Sequence, residues 1–250
     1  MNEPHLNYGI TYTAWGDKAI VQAIRSAKSV AQFNYPTCLI TDFQYDSIDN
    51  EFDHVIYTDK SLNIPTQKVF YYNLTPFDVT LYLDTDTIVI NNIDFGFEAA
   101  KKHGIALTFA PATSFAEHWG LSYPSELPQY NGGVIFHSKK HHLYGSFWDW
   151  VEEAIRKEYP DIDDRGRNPA FNDQSAMSAI IYERNISPYV LPYTWNLRPD
   201  FLMTAGFGLI RIWHSPHPPV NNVNRNAKKF WSLPLRYKLK ELKLSLQQRF

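Results

Sequence analysis

Residues 79–90 read VTLYLDTDTIVI. A strand-like apolar run (Val79, Leu81, Leu83) leads into Asp84 and Asp86, and a second β-branched run (Ile88, Val89, Ile90) follows. Side chains of an extended chain alternate with period 2, so the two carboxylates are expected on one side. At the end of a buried strand they are poorly solvated and repel each other. A divalent cation relieves both problems. The same spacing also suits two loop Asp residues that cap a turn, and the stretch alone leaves both readings open.

The 250 residues suffice for one large α/β domain or two small ones. A hydrophobic content of 44% and an aromatic content of 16% allow a sizeable core and argue against disorder. The lone cysteine, Cys38, cannot form a disulfide within one chain, which suits a reducing compartment. The first residues, MNEPHLNYG, lack a basic start and an apolar core, so no signal peptide is expected. No apolar stretch is long enough for a transmembrane helix. Net charge is −2, unevenly spread: residues 225–250 hold eight Lys or Arg and one Glu, leaving a net −9 on residues 1–224. An acidic body lacks the basic face of a nucleic-acid binder. We expect residues 1–224 to form one domain and 225–250 a basic tail.

Outward from the central stretch, strands alternate with helices. YGITYTA (8–14) reads as a strand, and apolar residues from Ala19 to Ala31 recur at helical spacing. TCLIT (37–41) and HVIY (54–57) read as strands, 66–74 and 97–102 as helices, and GIALTFA (104–110) as a strand. This alternation predicts an α/β fold, a mostly parallel sheet with helices on both faces. Ligands collect at the carboxyl ends of such strands, which points to Thr11, Tyr12 and Thr13 as well as to Asp84 and Asp86. Lys68, 16 residues before Asp84, is a surface lysine on the plainest reading. The aromatic, proline-bearing segment 111–128 suits a lid or a packed connection.

Further on, QYNGGVIFH (129–137) opens a strand with Asn131-Gly132-Gly133. Paired glycines permit close approach by a ligand, and Asn-Gly is equally a turn signal. Residues 142–157 read as an amphipathic helix. Residues 161–172 begin like a calcium loop but carry Asn172 where a bidentate Glu is required, so we read them as a solvated loop. NDQSAMSAIIY (172–182) reads as a helix capped by Asn172, with Asp173 and Gln174 in its first turn, where Asp173 also suits the helix dipole. Residues 188–198 predict a strand and an aromatic loop, and LIRIWH (209–214) a strand ending in His214. His214 is either packed or a third ligand beside two Asp, with His217 competing for that role. In the tail, Leu235, Leu239, Leu242 and Leu246 form one stripe among basic residues. Such a helix lies on an anionic membrane or docks on its own domain.

Taken in order, YLDTDTIVI, YNGGVIF, NDQSAM, LPYTWN and IRIWH resemble the nucleotide-sugar glycosyltransferases of the GT-A type, and within them the glycogenin and bacterial lipopolysaccharide galactosyltransferase group. The resemblance spans about residues 9–215 and implies a GT-A, Rossmann-like mixed sheet. It implies nucleoside contacts at Thr11, Tyr12 and Thr13, and a donor-binding lysine at Lys68. Asp84, Asp86 and His214 would hold the metal, Mn²⁺ or Mg²⁺, with Asp84 also near the ribose. Asn131 and Gly132 would lie beside the donor sugar, and Asp173 and Gln174 at its reacting face. The donor implied is a UDP-sugar, the reaction hexosyl transfer with retention, and the acceptor a glycan or lipid-linked saccharide. A cytoplasmic enzyme visiting a membrane surface fits the tail. One departure stands out: after His214 the family continues with a Gly and then a diphosphate-binding Lys, whereas this chain reads SPHPPV. His217, Arg211 or Arg225 would have to substitute.

Two other classes are weighed. A nucleotidyltransferase should carry a Gly-rich basic loop after the first strand, and residues 11–18 offer only Gly16 and Lys18. A carbohydrate-binding module would use exposed aromatics such as Trp119, Trp148 and Trp195 for stacking.

Overall fold

Strand β1 (Tyr8–Thr13) alternates Ile10 and Tyr12 on one face with Thr11 and Thr13 on the other. That alternation is the pattern on which both layers of the molecule are built. The computed structural model describes residues 7–42, 48–58, 69, 72–110, 127–158, 173–199, 209–217 and 219. Lys68, Trp119, Asn172, Arg225, the loop 161–172 and the tail 225–250 lie outside the described residues, as does most of 111–128.

The other strands are β2 (Thr37–Thr41), β3 (His54–Tyr57), β4 (Val79–Leu83), β5 (Thr87–Val89), β6 (Ile105–Phe109), β7 (Tyr130–Ser138), β8 (Tyr189–Val190) and β9 (Ile212–His214). Seven form one sheet in the order β3-β2-β1-β4-β7-β6-β8. The pairs β3–β2, β2–β1, β1–β4 and β6–β8 are parallel. Strand β7 runs antiparallel to both of its neighbours, β4 and β6. The sheet is therefore mixed and mostly parallel, as expected. Strands β5 and β9 make a separate antiparallel pair.

Helices cover both faces. On one, α1 (Asp17–Val30) and α2 (Asp94–His103) pack against Ile10, Tyr12, Leu81 and Phe136. On the other, α3 (Phe147–Glu158) and α4 (Asp173–Glu183) pack against Tyr82, Ile105, Leu107 and Ile135. Every residue of β4 is buried, as a central strand covered on both faces requires. In α1, Ile20, Ala23, Ala27 and Val30 form the buried stripe that their spacing predicts.

The C-terminal elements are shorter than the sequence suggests. Helix α3 begins at Phe147, because residues 142–146 turn instead. Strand β8 keeps two residues: it sits at the sheet edge, and Pro192 soon follows with no N–H to offer a ladder. Strand β9 keeps only Ile212–His214. Among the described residues no helix is long and apolar enough to cross a membrane.

Candidate active site

Asp84 and Asp86 do not lie on an extended strand. Strand β4 ends at Leu83 and β5 begins at Thr87, with a tight turn between them closed by Thr87 N–H donating to Asp84 O at 3.2 Å. The expectation of a pleat placing both carboxylates on one side is thus corrected: the turn brings them together. The turn is tied from two sides. Asp84 N–H donates to Gly133 O at 2.9 Å, and Thr87 Oγ1 donates to Asp84 O at 2.8 Å.

Strand β9 brings in the third group. Thr87 pairs directly with His214, and Ser215 N–H donates to Asp86 O at 2.9 Å. His214 Nε2 consequently lies 3.2 Å from Asp86 Oδ1 and 3.7 Å from Asp84 Oδ2. One ligand atom from each of the three residues falls within 4.8 Å of the others, and among the described residues this is the single such group. His214 is 4% exposed, while the two carboxylates are 31% and 26% exposed. The imidazole is therefore the fixed wall and the acids face the opening. Burial pushes the Asp86 carboxyl up; the His214 hydrogen bond and charge, with the Arg198 charge, outweigh this and hold it below the ordinary carboxylate value. Two carboxylate oxygens and an imidazole nitrogen suit a first-row divalent metal.

The floor beneath them is Gly133. A Cβ there would meet His214 Cε1 at 2.3 Å and Asp84 Oδ2 at 2.5 Å. Only glycine lets β7 run this close to the acids. Just before it, Asn131 is 2% exposed and bonded in three directions. Its Oδ1 accepts from Gly133 N–H (2.9 Å) and Asn196 Nδ2 (2.6 Å), and its Nδ2 donates to Gln174 Oε1 (3.0 Å). Gln174 Oε1 also accepts from Gly132 N–H at 3.0 Å. Asn196 Oδ1 in turn lies 2.8 Å from His214 Nδ1.

The remaining expected residues divide. Thr13 reaches the cluster through Tyr82: Thr13 Oγ1 is 3.1 Å from Tyr82 OH, which donates to Asp84 Oδ1 at 3.1 Å. Thr11 bonds Thr75 at 2.8 Å under the same face. Tyr12 points to the opposite face, fully buried beside Ser26, and burial raises its phenol well above the ordinary value. Its side chain thus lies on the face away from Thr11 and Thr13. Asp173 opens α4, partly exposed, one position before Gln174. Arg211 donates to Asn92 O at 2.7 Å and lies over the Trp195 ring, while His217 is exposed past the end of β9. Trp148 and Trp195, expected as exposed stacking surfaces, are buried at 2% and 6% exposure. Trp148 stacks on Tyr72 in the core, with centroids 3.9 Å apart.

Several solved structures share this architecture. Mouse xyloside xylosyltransferase 1 superposes with a TM-score of 0.56 at 14% identity, covering 85% of this chain and 99% of its own. The glycosyltransferase GlyE of Streptococcus pneumoniae gives 0.56 at 16% identity, covering 92% of this chain and 61% of its own. The bifunctional glycosyltransferase WbbM gives 0.54 at 12% identity, covering 82% of this chain and 42% of its own. The fold is the one these glycosyltransferases share. No family model and no curated protein matches the sequence.

Sequence reading assigned no role to Asn196, Tyr82 or Arg198, and saw in Gly133 only one of two glycines that permit close approach by a ligand. Gly133 and Asn196 stand inside stretches already singled out, YNGGVIF and LPYTWN, but nothing local distinguishes them. Tyr82 reads as one more apolar strand residue, and Arg198 as an ordinary loop cation.

Proposed function

We propose that this chain is a metal-dependent glycosyltransferase that moves a hexose from a UDP-sugar to a glycan or lipid-linked acceptor with retention of anomeric configuration. The observation that carries the reading is the meeting of Asp84, Asp86 and His214 over Gly133, in a fold shared with glycosyltransferases. Asp84, Asp86 and His214 would hold Mn²⁺ or Mg²⁺, the imidazole favouring Mn²⁺. A cation held by these residues would supply positive charge for a departing nucleoside diphosphate.

The protein's own groups do the rest. Thr13, at the carboxyl end of β1, would border the nucleoside, with Thr11 and Tyr12 of the same strand behind it. Lys68 and Arg198 supply fixed positive charge for the diphosphate; Arg198 already bears on Asp86, whereas Arg211 is tied to Asn92 and Trp195. Asn131 and Gly132 border the donor sugar, and the Asp173 carboxylate faces the oxocarbenium-like charge expected at the anomeric carbon. Gln174 keeps its Oε1 on Asn131 and Gly132, so it shapes that border.

The test is donor hydrolysis across a panel of nucleotide-sugars with Mn²⁺, then with EDTA, on wild type and Asp86→Ala. Turnover of one or two UDP-sugars, abolished by EDTA and by the substitution, is the expected result. Glycan binding that survives Asp86→Ala, with no turnover of any donor even when acceptors are supplied, would overturn it in favour of a binding protein. NMR of the transferred sugar checks retention, and an inverted product refutes that part alone.

A further inference from the structure

The contacts around Asn131 form one continuous chain whose directions can be worked out from its ends. A backbone N–H can only donate. Gly132 N–H therefore identifies the Gln174 atom it meets as the amide oxygen. Gln174 oxygen must then receive the Asn131 amide nitrogen, and Gly133 N–H independently requires that Asn131 present its oxygen on the other side. Asn131 oxygen, in turn, must receive the Asn196 nitrogen. Asn196 is left with its oxygen toward His214, so His214 Nδ1 must carry a proton and donate it across 2.8 Å. Neither a metal nor the acids are needed to set these directions. Nε2, the nitrogen 3.2 Å from Asp86, is the position left for a metal.

We infer that Asn196 is a positioning residue for the metal centre, fixing His214 with Nδ1 protonated and Nε2 directed at the cation through a relay anchored on the Gly132 and Gly133 amides. The inference rests on the metal-binding part of the proposed function and needs neither the donor nor the acceptor to be known. Three of the four side chains in the relay are buried, and Gln174 is partly exposed. Asn131, Asn196 and His214 are all at least 96% buried, so water cannot easily replace a lost partner. A free imidazole has no such constraint, and without Asn196 the ring can rotate or hold its proton on Nε2, where it blocks the lone pair. Gln174, Asn131 and Gly132, expected at the sugar end, are thereby coupled to the metal ligand through three side-chain hydrogen bonds.

The experiment is ¹⁵N NMR of histidine-labelled full-length chain, metal-free and with saturating Mg²⁺, alongside Mn²⁺ titration by EPR of wild type and Asn196→Leu. His214 is assigned by its loss in His214→Gln. In wild type we expect a one-bond N–H coupling at Nδ1 of His214 in both forms. Asn196→Leu should lose the protected Nδ1 proton and bind Mn²⁺ about 10–100-fold more weakly, as losses of outer-shell partners do. A wild-type His214 with a bare Nδ1 overturns the inference outright, whether or not the variant folds. So does a folded Asn196→Leu chain with unchanged Mn²⁺ affinity. Protonated Nδ1 and Mn²⁺ binding without hydrolysis of any donor would leave the relay standing and count against glycosyl transfer instead.

Discussion

At Gly133 the backbone itself is the wall of the site. A methyl group added there would stand 2.3 Å from His214 Cε1 and 2.5 Å from Asp84 Oδ2, well inside contact distance. Neither neighbour is free to retreat, since His214 is bonded to Asn196 and Asp84 N–H to Gly133 O. Gly133→Ala should therefore cost about 1–3 kcal/mol of stability, the usual range for overpacking. Its effect on the metal should be far larger, because it separates the imidazole from the carboxylate. We expect Mn²⁺ affinity to drop by more than about 100-fold, beyond what loss of an outer-shell partner does. Urea unfolding and EPR titration of the same sample separate the two effects, and unchanged Mn²⁺ affinity would show that the three groups do not act as one site. The Asn-Gly-Gly sequence made this segment conspicuous, but which of the two glycines is indispensable depends on what lies 81 residues away at His214.

Among elements, the β4–β5 turn depends on α1 as much as on its own residues. A buried chain of hydroxyls runs from Tyr12 OH to Ser26 Oγ (3.1 Å), to Thr87 Oγ1 (3.0 Å), and on to Asp84 O (2.8 Å). It links the sheet, the helix and the turn that carries the acids. Thr87→Val keeps the shape and removes the hydroxyl, taking away one of two hydrogen bonds at Ser26 and one of two at Asp84 O. We expect it to cost about 1–3 kcal/mol in urea unfolding, the net worth of the two hydrogen bonds removed at about 0.5–1.5 kcal/mol each. The metal-induced rise in stability should shrink as well, since the turn is no longer pinned. A variant that unfolds like wild type and shows the same metal-induced shift would remove the turn from the design of the site. The sequence marked the strands here correctly but not the turn: Asp-Thr-Asp-Thr fits a pleat as well as a reversal, and Thr87 gives no local sign that it bonds helix α1.

For the whole molecule, the clearest pH dependence comes from a residue remote from the metal centre. His137 is fully buried in β7, and its Nε2 donates to Tyr144 O at 3.0 Å. Nδ1 has no hydrogen-bond partner, so a second proton would be both desolvated and unmatched. Burial holds its pKa at about 4. An unfolded histidine titrates near 6.5, so between these values the unfolded chain binds the extra proton and the native chain does not. Stability contributed by neutral His137 is complete above about pH 6.5, declines as pH falls, and is gone by about pH 4, a change on the order of 3 kcal/mol. Urea unfolding at pH 7 and pH 4.5 should show a steeper loss for wild type than for His137→Gln; equal losses would refute the assignment. The sequence by itself determined the α/β class, most of the strands and helices in their order, and all three candidate metal ligands, with His217 left competing for the third place. It could do so because burial on one or both faces leaves a period in the chain, 2 for strands and 3.6 for helices. The reversed direction of β7, the turn under Asp84 and Asp86, and the register that sets Thr87 opposite His214 were decided only by the tertiary structure. Strand direction and register are fixed by hydrogen bonds between segments far apart in the chain, and the relay from Gln174 to His214 exists only once four such segments have met.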